Sequence, residues 1–145
     1  MNHPALKVYR YTRSATLPTK AHPSDAGWDL FLDHDVLLSS KLQAIDMGIK
    51  LVIPEGYWVR LAEKSGLASL GVELHGGIID QNYRGPIKVL VRYTGNGNLS
   101  MCAGRALCQM ILVKQEDMGG IQELTQDEFS TATDRGESGF GASGA

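Results

Sequence analysis

Cysteine is scarce in this chain: Cys102 and Cys108 are the only two among 145 residues. Two thiols six positions apart in a strand-like segment make a poor disulfide framework, so free thiols are expected rather than a stapled extracellular scaffold. Long apolar runs are missing, and nothing approaches the length of a membrane span. The first residues, MNHPALKVYRYT, lack the apolar core of a secretory signal. The expectation is a protein that is not secreted and not bound to a membrane, with a cytoplasmic or nuclear location. An excess of one charge is also missing: 14 Lys and Arg oppose 16 Asp and Glu, leaving −2. Without a basic excess a nucleic-acid polymer is not the expected partner, although local positive charge can still receive a small anion. His3, His22, His34, His75 and the two cysteines show no metal-ligand spacing. Lys64-Ser65 lacks the glycine pair of a Walker loop, and no Gly-x-Ser-x-Gly elbow occurs. The literal G-x-G-x-x-G at Gly139, Gly141 and Gly144 has no strand before it and no helix after it, so it is not read as a dinucleotide loop.

What is present is a succession of short apolar pieces cut by turns. LKVYRYT (6–12), WDLFL (28–32), DVLL (35–38), GIKLVI (48–53), YWVRLA (57–62), PIKVLVRYT (86–94) and ALCQMILV (106–113) read as strands. Ile87-Lys88-Val89-Leu90-Val91-Arg92-Tyr93 alternates with the period of a half-buried strand. PEG (54–56) and TGNGN (94–98) punctuate the runs, and glycine reaches 17 residues, above the usual share of roughly 7%. Many short strands with frequent turns predict an all-β sandwich or jelly roll. Only KSGLASLG (64–71) reads as a short helix. A Rossmann-type sheet is disfavoured, because no long helices alternate with the strands. The length fits one domain with a sizeable core. From about Gly119 the chain turns polar and Gly-rich, with little aliphatic content after Leu124. It is expected to be a flexible tail without a partner. The division drawn from this is a β domain over 1–124 and a C-terminal lid over 125–145.

Five small, polar, Gly-containing clusters stand along this scaffold: AGWDL (26–30), EKSGLAS (63–69), GGIIDQNYRG (76–85), the Gly104–Gln109 region and RGESGFG (135–141). In GGIIDQNYRG an acid, Asp80, follows two isoleucines, and an aromatic, Tyr83, comes three positions later. Read by itself, this is either a hairpin corner with a turn aspartate or a pocket in which backbone reads a ligand and the acid does chemistry.

In order and spacing the five clusters resemble the motifs of the trimeric dUTPase family, over about residues 24–144. AGWDL is similar to the first motif, VRLAEKSGLA (59–68) to the second, GGIIDQNYRG to the third, GRALCQMI (104–111) to a weakened fourth and RGESGFGASG (135–144) to the fifth. The resemblance implies a single-domain jelly-roll (β-clip) subunit with one short helix, a homotrimer with shared active sites, and Mg²⁺-dependent hydrolysis of dUTP to dUMP and pyrophosphate. It makes Asp80 the general base that takes a proton from the attacking water. Tyr83 lies against the deoxyribose and leaves no room for a 2′-hydroxyl. Gly77 and Ile79 belong to the segment that reads uracil. Lys64, where many relatives have Arg, Ser65 and Gly66 contact phosphate near a helix start. Gln109 also touches phosphate. Asp29 holds Mg²⁺ through water, as suits a hard ion that keeps its hydration. In the tail, Arg135 faces the terminal phosphate, Phe140 covers the base, and Gly139, Gly141 and Ser143 wrap the anion. The chain departs from the family pattern at Arg105 and Ala106, where an acidic-basic pair is common, and at Asn82, where many relatives have Asp.

Two rival readings share the fold. One is a dCTP deaminase-like enzyme, which needs a carboxylate and water near the cytosine amino group. The other is a nucleotide-gated regulatory protein that binds a protein partner through a trimer surface.

Overall fold

The computed structural model describes residues 2–132. A first compact unit ends at Gln115 and a second begins at Glu116. The first unit is built of eleven strands: β1 (Lys7–Arg10), β2 (Trp28–Phe31), β3 (Val36–Leu38), β4 (Gln43–Asp46), β5 (Ile49–Val52), β6 (Tyr57–Glu63), β7 (Val72–His75), β8 (Ile78–Ile79), β9 (Lys88–Tyr93), β10 (Leu99–Met101) and β11 (Ala106–Lys114). One helix, α1 (Ser65–Leu70), interrupts them between β6 and β7. This is the all-β jelly-roll fold expected from the turn-punctuated sequence. All seven predicted strands are present: five are shorter by one or two residues at an end, while β6 and β11 each run one residue further, to Glu63 and Lys114.

One expectation needs correction. The described residues hold two helices rather than one: α2 (Gln126–Ser130) opens the second unit's helical turn. It is nucleated by a capping box, in which the Thr125 side chain accepts from the Glu128 N–H while Glu128 Oε1 accepts from Thr125 N. That local bonding holds a polar turn that buries nothing. Ser65 and Gly66 are expected near a helix start. In the structure they are the first two residues of α1, and Lys64 is the residue that caps it.

The strands pair as β1-β5, β3-β10, β4-β9-β7 and β2-β11-β6-β8, all antiparallel. β9 keeps the alternation read from its sequence: Val89 and Val91 are buried, while Lys88 and Leu90 face outward. The core gathers Leu30, Leu32, Leu38, Ile49, Leu51, Val59, Val89 and Leu107, and no polar side chain is buried among the described residues. Burial of these branched side chains, each worth roughly 1.5–3 kcal/mol, holds the sheets face to face.

The end of β1 is tied to the β4–β5 turn by polar bonds. The Tyr11 hydroxyl donates to Asp46 Oδ2, Gly48 N donates to Asp46 Oδ1 at 2.9 Å, and Tyr11 N donates to Gly48 O at 3.1 Å. The bond to Asp46, followed by desolvation and the charges of Asp46 and Asp33, pushes the Tyr11 phenol up from 10.0 to about 12. A raised folded value favours the protonated phenol in the folded state. This contribution to stability is therefore complete below the unfolded value of about 10 and lost as the pH rises through about 12. Thermal unfolding of the wild type and of Tyr11→Phe should show a gap in Tm that narrows across that alkaline interval. A gap that stays constant there would exclude this linkage.

Candidate active site

The site residues fall in two places on the first unit. The first is a polar cavity of about 190 Å³ lined by Asp25, Ala26, Gly27, Asp29, Lys64, Ser65 and Gln109. It unites the first, second and fourth clusters, which lie 35 to 80 positions apart in the chain. Strand pairing explains the convergence. β11 runs between β2 and β6, and its Gln109 lies opposite Asp29 on one side and Ala62 on the other. Lys64 follows two residues after Ala62, where β6 gives way to α1. Asp29 is further fixed by its own backbone, which donates to Thr19 O at 2.6 Å.

Within this cavity Lys64 Nζ donates to Asp29 Oδ1 at 2.6 Å, and Gln109 Nε2 donates to the Glu63 carbonyl at 2.8 Å. The Gln109 side chain lies so close over Gly27 that a Cβ there would overlap it. Gly66 is exposed in the first turn of α1 and does not line the cavity. Cys108, adjacent to Gln109, is buried. Burial, followed by the charges of Asp29 and Glu63, pushes its thiol up to about 12. It offers no nucleophile here.

The second place is the hairpin of residues 76–85. Its cavity of about 280 Å³ is lined by Gly77, Ile78, Ile79, Asp80 and Tyr83, together with Leu61, His75, Gly76, Pro86, Ile87, Lys88 and Leu90. Ile78 and Ile79 form β8 and pair with Arg60 and Val59 of β6. Gly77 has φ +94, and its carbonyl accepts from Leu61 N at 2.7 Å. The turn closes when Tyr83 N donates to Asp80 O at 3.0 Å. The Tyr83 hydroxyl then donates to Pro86 O at 2.8 Å, so its ring folds back over Gly85, where a Cβ would sit 2.5 Å from the hydroxyl oxygen. Asp80 is exposed, and Tyr83 is 44% exposed. The corner therefore presents an acid and an aromatic outward from a glycine-shaped backbone.

Arg135, Gly139, Phe140, Gly141 and Ser143 lie outside the described residues. Arg105 immediately precedes β11 and Ala106 begins it, and neither lines either cavity. Gly27, His75 and Lys88 line the two places but were not singled out in the sequence. Gly27 stood in the quoted AGWDL, and its close contact with Gln109 is a long-range fact that a local motif does not carry. A larger cavity of about 450 Å³, lined by Leu6, Val8, Leu17, Trp28, Val59, Met110 and other apolar residues, holds none of the predicted site residues.

Comparison with known proteins gives a consistent family. The dUTPase family model matches residues 13–144. A deoxyuridine 5′-triphosphate nucleotidohydrolase of Fowlpox virus (strain NVSL) is 36% identical over 139 residues, covering 94% of this chain and 95% of that protein. One from Debaryomyces hansenii is 32% identical over 142 residues, covering 97% and 88%. Among solved structures, the Staphylococcus bacteriophage 80alpha dUTPase with dUPNHPP superimposes with a TM-score of 0.81 at 23% identity, covering 99% of this chain and 100% of that one. A mutant dUTPase from phage phi11 of S. aureus, described for its coordination of a structural Mg(II) ion, gives a TM-score of 0.76 at 23% identity, covering 87% and 100%. At that identity the structural matches establish the fold.

Gly77 has two reasons to be glycine: its φ is positive, and a Cβ would lie 2.8 Å from the Leu61 carbonyl oxygen. Gly77→Ala is expected to destabilise the full-length protein by about 1–3 kcal/mol in denaturant unfolding. An unchanged midpoint would mean that the corner relaxes freely.

Proposed function

The chain belongs to the dUTPase family, the dUTP diphosphatases, and from that premise we propose how its residues divide the hydrolysis of dUTP to dUMP and pyrophosphate. Asp80 takes a proton from a water as that water attacks the α-phosphorus. The bond from this phosphorus to its bridging oxygen breaks, and pyrophosphate leaves. The single observation that carries this reading is the hairpin corner, which offers a carboxylate and an aromatic beside backbone held at Gly77 and Ile79. Backbone donors and acceptors at Gly77 and Ile79 read uracil, and Tyr83 packs on the deoxyribose and excludes a 2′-hydroxyl. Lys64, Ser65, Gly66 and Gln109 receive the phosphates. Residues 125–145 act as a lid, with Arg135, Gly139, Phe140, Gly141 and Ser143 completing contacts to phosphate and base.

The donor set suits a hydrated Mg²⁺. Asp29 stands in a polar cavity that Asp25, Ser65 and Gln109 also line, a setting of oxygens that would accept from the waters of a hard, hydrated ion. When bound there, Mg²⁺ neutralises phosphate charge and holds the triphosphate in one conformation. Asp29 would hold it through water.

We further propose that the site is shared between chains of a homotrimer. Asp29 is level with Ala62 of β6, two strands away, whereas Asp80 follows Ile79, which pairs with Val59 on the far side of β6. On a flat sheet this is three strand spacings across and about four residues along, on the order of 20 Å. A base one water from the α-phosphorus and a carboxylate serving the same triphosphate belong much closer together. Two chains meeting edge to edge supply both. No helix among the described residues is long and apolar enough to cross a membrane.

The decisive test is pyrophosphate release from a panel of dUTP, UTP, dCTP and dTTP with Mg²⁺. Release from dUTP alone is expected. Ammonia from dCTP without pyrophosphate from dUTP would instead indicate the deaminase reaction.

A second prediction addresses sharing. Asp80→Asn is expected to retain dUTP binding and lose about 10²–10⁴-fold in turnover, and Asp29→Asn to be similarly impaired. Random co-assembly of the two variants should restore about a quarter of the wild-type rate, because some sites then combine two intact carboxylates. If the mixture stays as inactive as its parts, the site lies within one chain.

A further inference from the structure

The Asp29–Lys64 contact has a consequence beyond phosphate binding. Among the described residues, Lys64 is the only side chain that donates to Asp29, and it does so at 2.6 Å. Asp29 is largely shielded, with its side chain 16% exposed, while the Lys64 side chain is 34% exposed. That carboxylate thus already holds an ammonium. A hydrated dication approaching Asp29 would have to share the carboxylate with that ammonium, against like-charge repulsion at short range.

We propose that Lys64 is a latch that closes Asp29 to free divalent metal and opens when a triphosphate arrives, so that metal capture at Asp29 depends on nucleotide. The inference rests on the reading of Asp29 and Lys64 given above. A triphosphate carries several negative charges and presents more acceptors than one carboxylate. It therefore draws the ammonium away from Asp29 and leaves the carboxylate's lone pairs to accept from the waters of an incoming ion. Lysine suits this exchange. Its four-carbon stem swings a compact charge between two anions without backbone motion, whereas an arginine fork would grip the carboxylate at two points. Lys64 stands at the junction of β6 and α1, with its side chain 34% exposed. By thermodynamic reciprocity, whatever the latch takes from metal affinity in the absence of nucleotide returns as coupling between the two ligands.

The test uses metal alone. Mn²⁺ is titrated into the full-length protein without nucleotide, and the free ion is followed by electron paramagnetic resonance. Lys64→Met is expected to bind Mn²⁺ at least about tenfold more tightly than the wild type, with Lys64→Gln behaving alike and Lys64→Arg, which grips the carboxylate at two points, binding no more tightly than the wild type. Adding Asp29→Asn to Lys64→Met should abolish the gain. Binding by both neutral variants no tighter than wild type, or a gain that survives Asp29→Asn, overturns the latch. Hydrolysis of dUTP by the same wild-type preparation separates the two claims. Active enzyme with no gain in the variants defeats the latch alone, and a wild type inert towards dUTP defeats the site assignment on which it rests.

Discussion

The register of β11 is the constraint on which the polar site depends. This nine-residue strand has β2 on one side and β6 on the other, and Gln109 faces both Asp29 and Ala62. Because side chains alternate across a sheet, a slip of one residue would turn Gln109 to the opposite face and carry it away from Asp29 and Gly27. Two features hold the register. Leu107 and Cys108 are fully buried, so a slip would drive polar groups into the core. The pairing with β2 also carries an irregularity between Ala106 and Cys108, which absorbs one residue before the strand runs on regularly. The geometry of this polar cavity is therefore set by the apolar packing of the same strand.

Much of this was legible in the sequence because it is local. Alternation in 87–93, apolar runs bounded by Gly and Pro, and the short helix at 64–71 each carry their signal within a few residues. The elements that escaped notice lack such signals. β8 has two residues and exists because β6 supplies its partner; β4, with Gln43 and Asp46 at its ends, and β10 are short and only partly apolar; β7 ends in His75. Their strand character comes from neighbours rather than from propensity. The capping box of α2 was readable as Thr125 followed three positions later by Glu128, but a window that polar does not stand out beside a Gly-rich tail.

The same division applies to the site. Asp29, Lys64, Ser65, Asp80, Tyr83 and Gln109 were identifiable from the clusters that contain them, and the structure gathers four of them around one cavity and the other two on one corner. What the sequence does not reveal is the distance between these groups. That distance is set by strand order β2-β11-β6-β8, a property of the whole sheet. Gly27 illustrates the point at a single position. Nothing in AGWDL says that its glycine is required by a glutamine about eighty residues later.

Cys108 has a consequence for how the molecule ages. Oxidants attack the thiolate, and a thiol held near 12 offers almost none at neutral pH. The sulfur in the central strand is thus inert, although it adjoins a group assigned to phosphate. Cys102 lies in the exposed turn between β10 and β11. Of the two thiols, it is the one open to an alkylating dye. Of the two cysteines, then, one is a chemical handle and lines neither cavity of the candidate site.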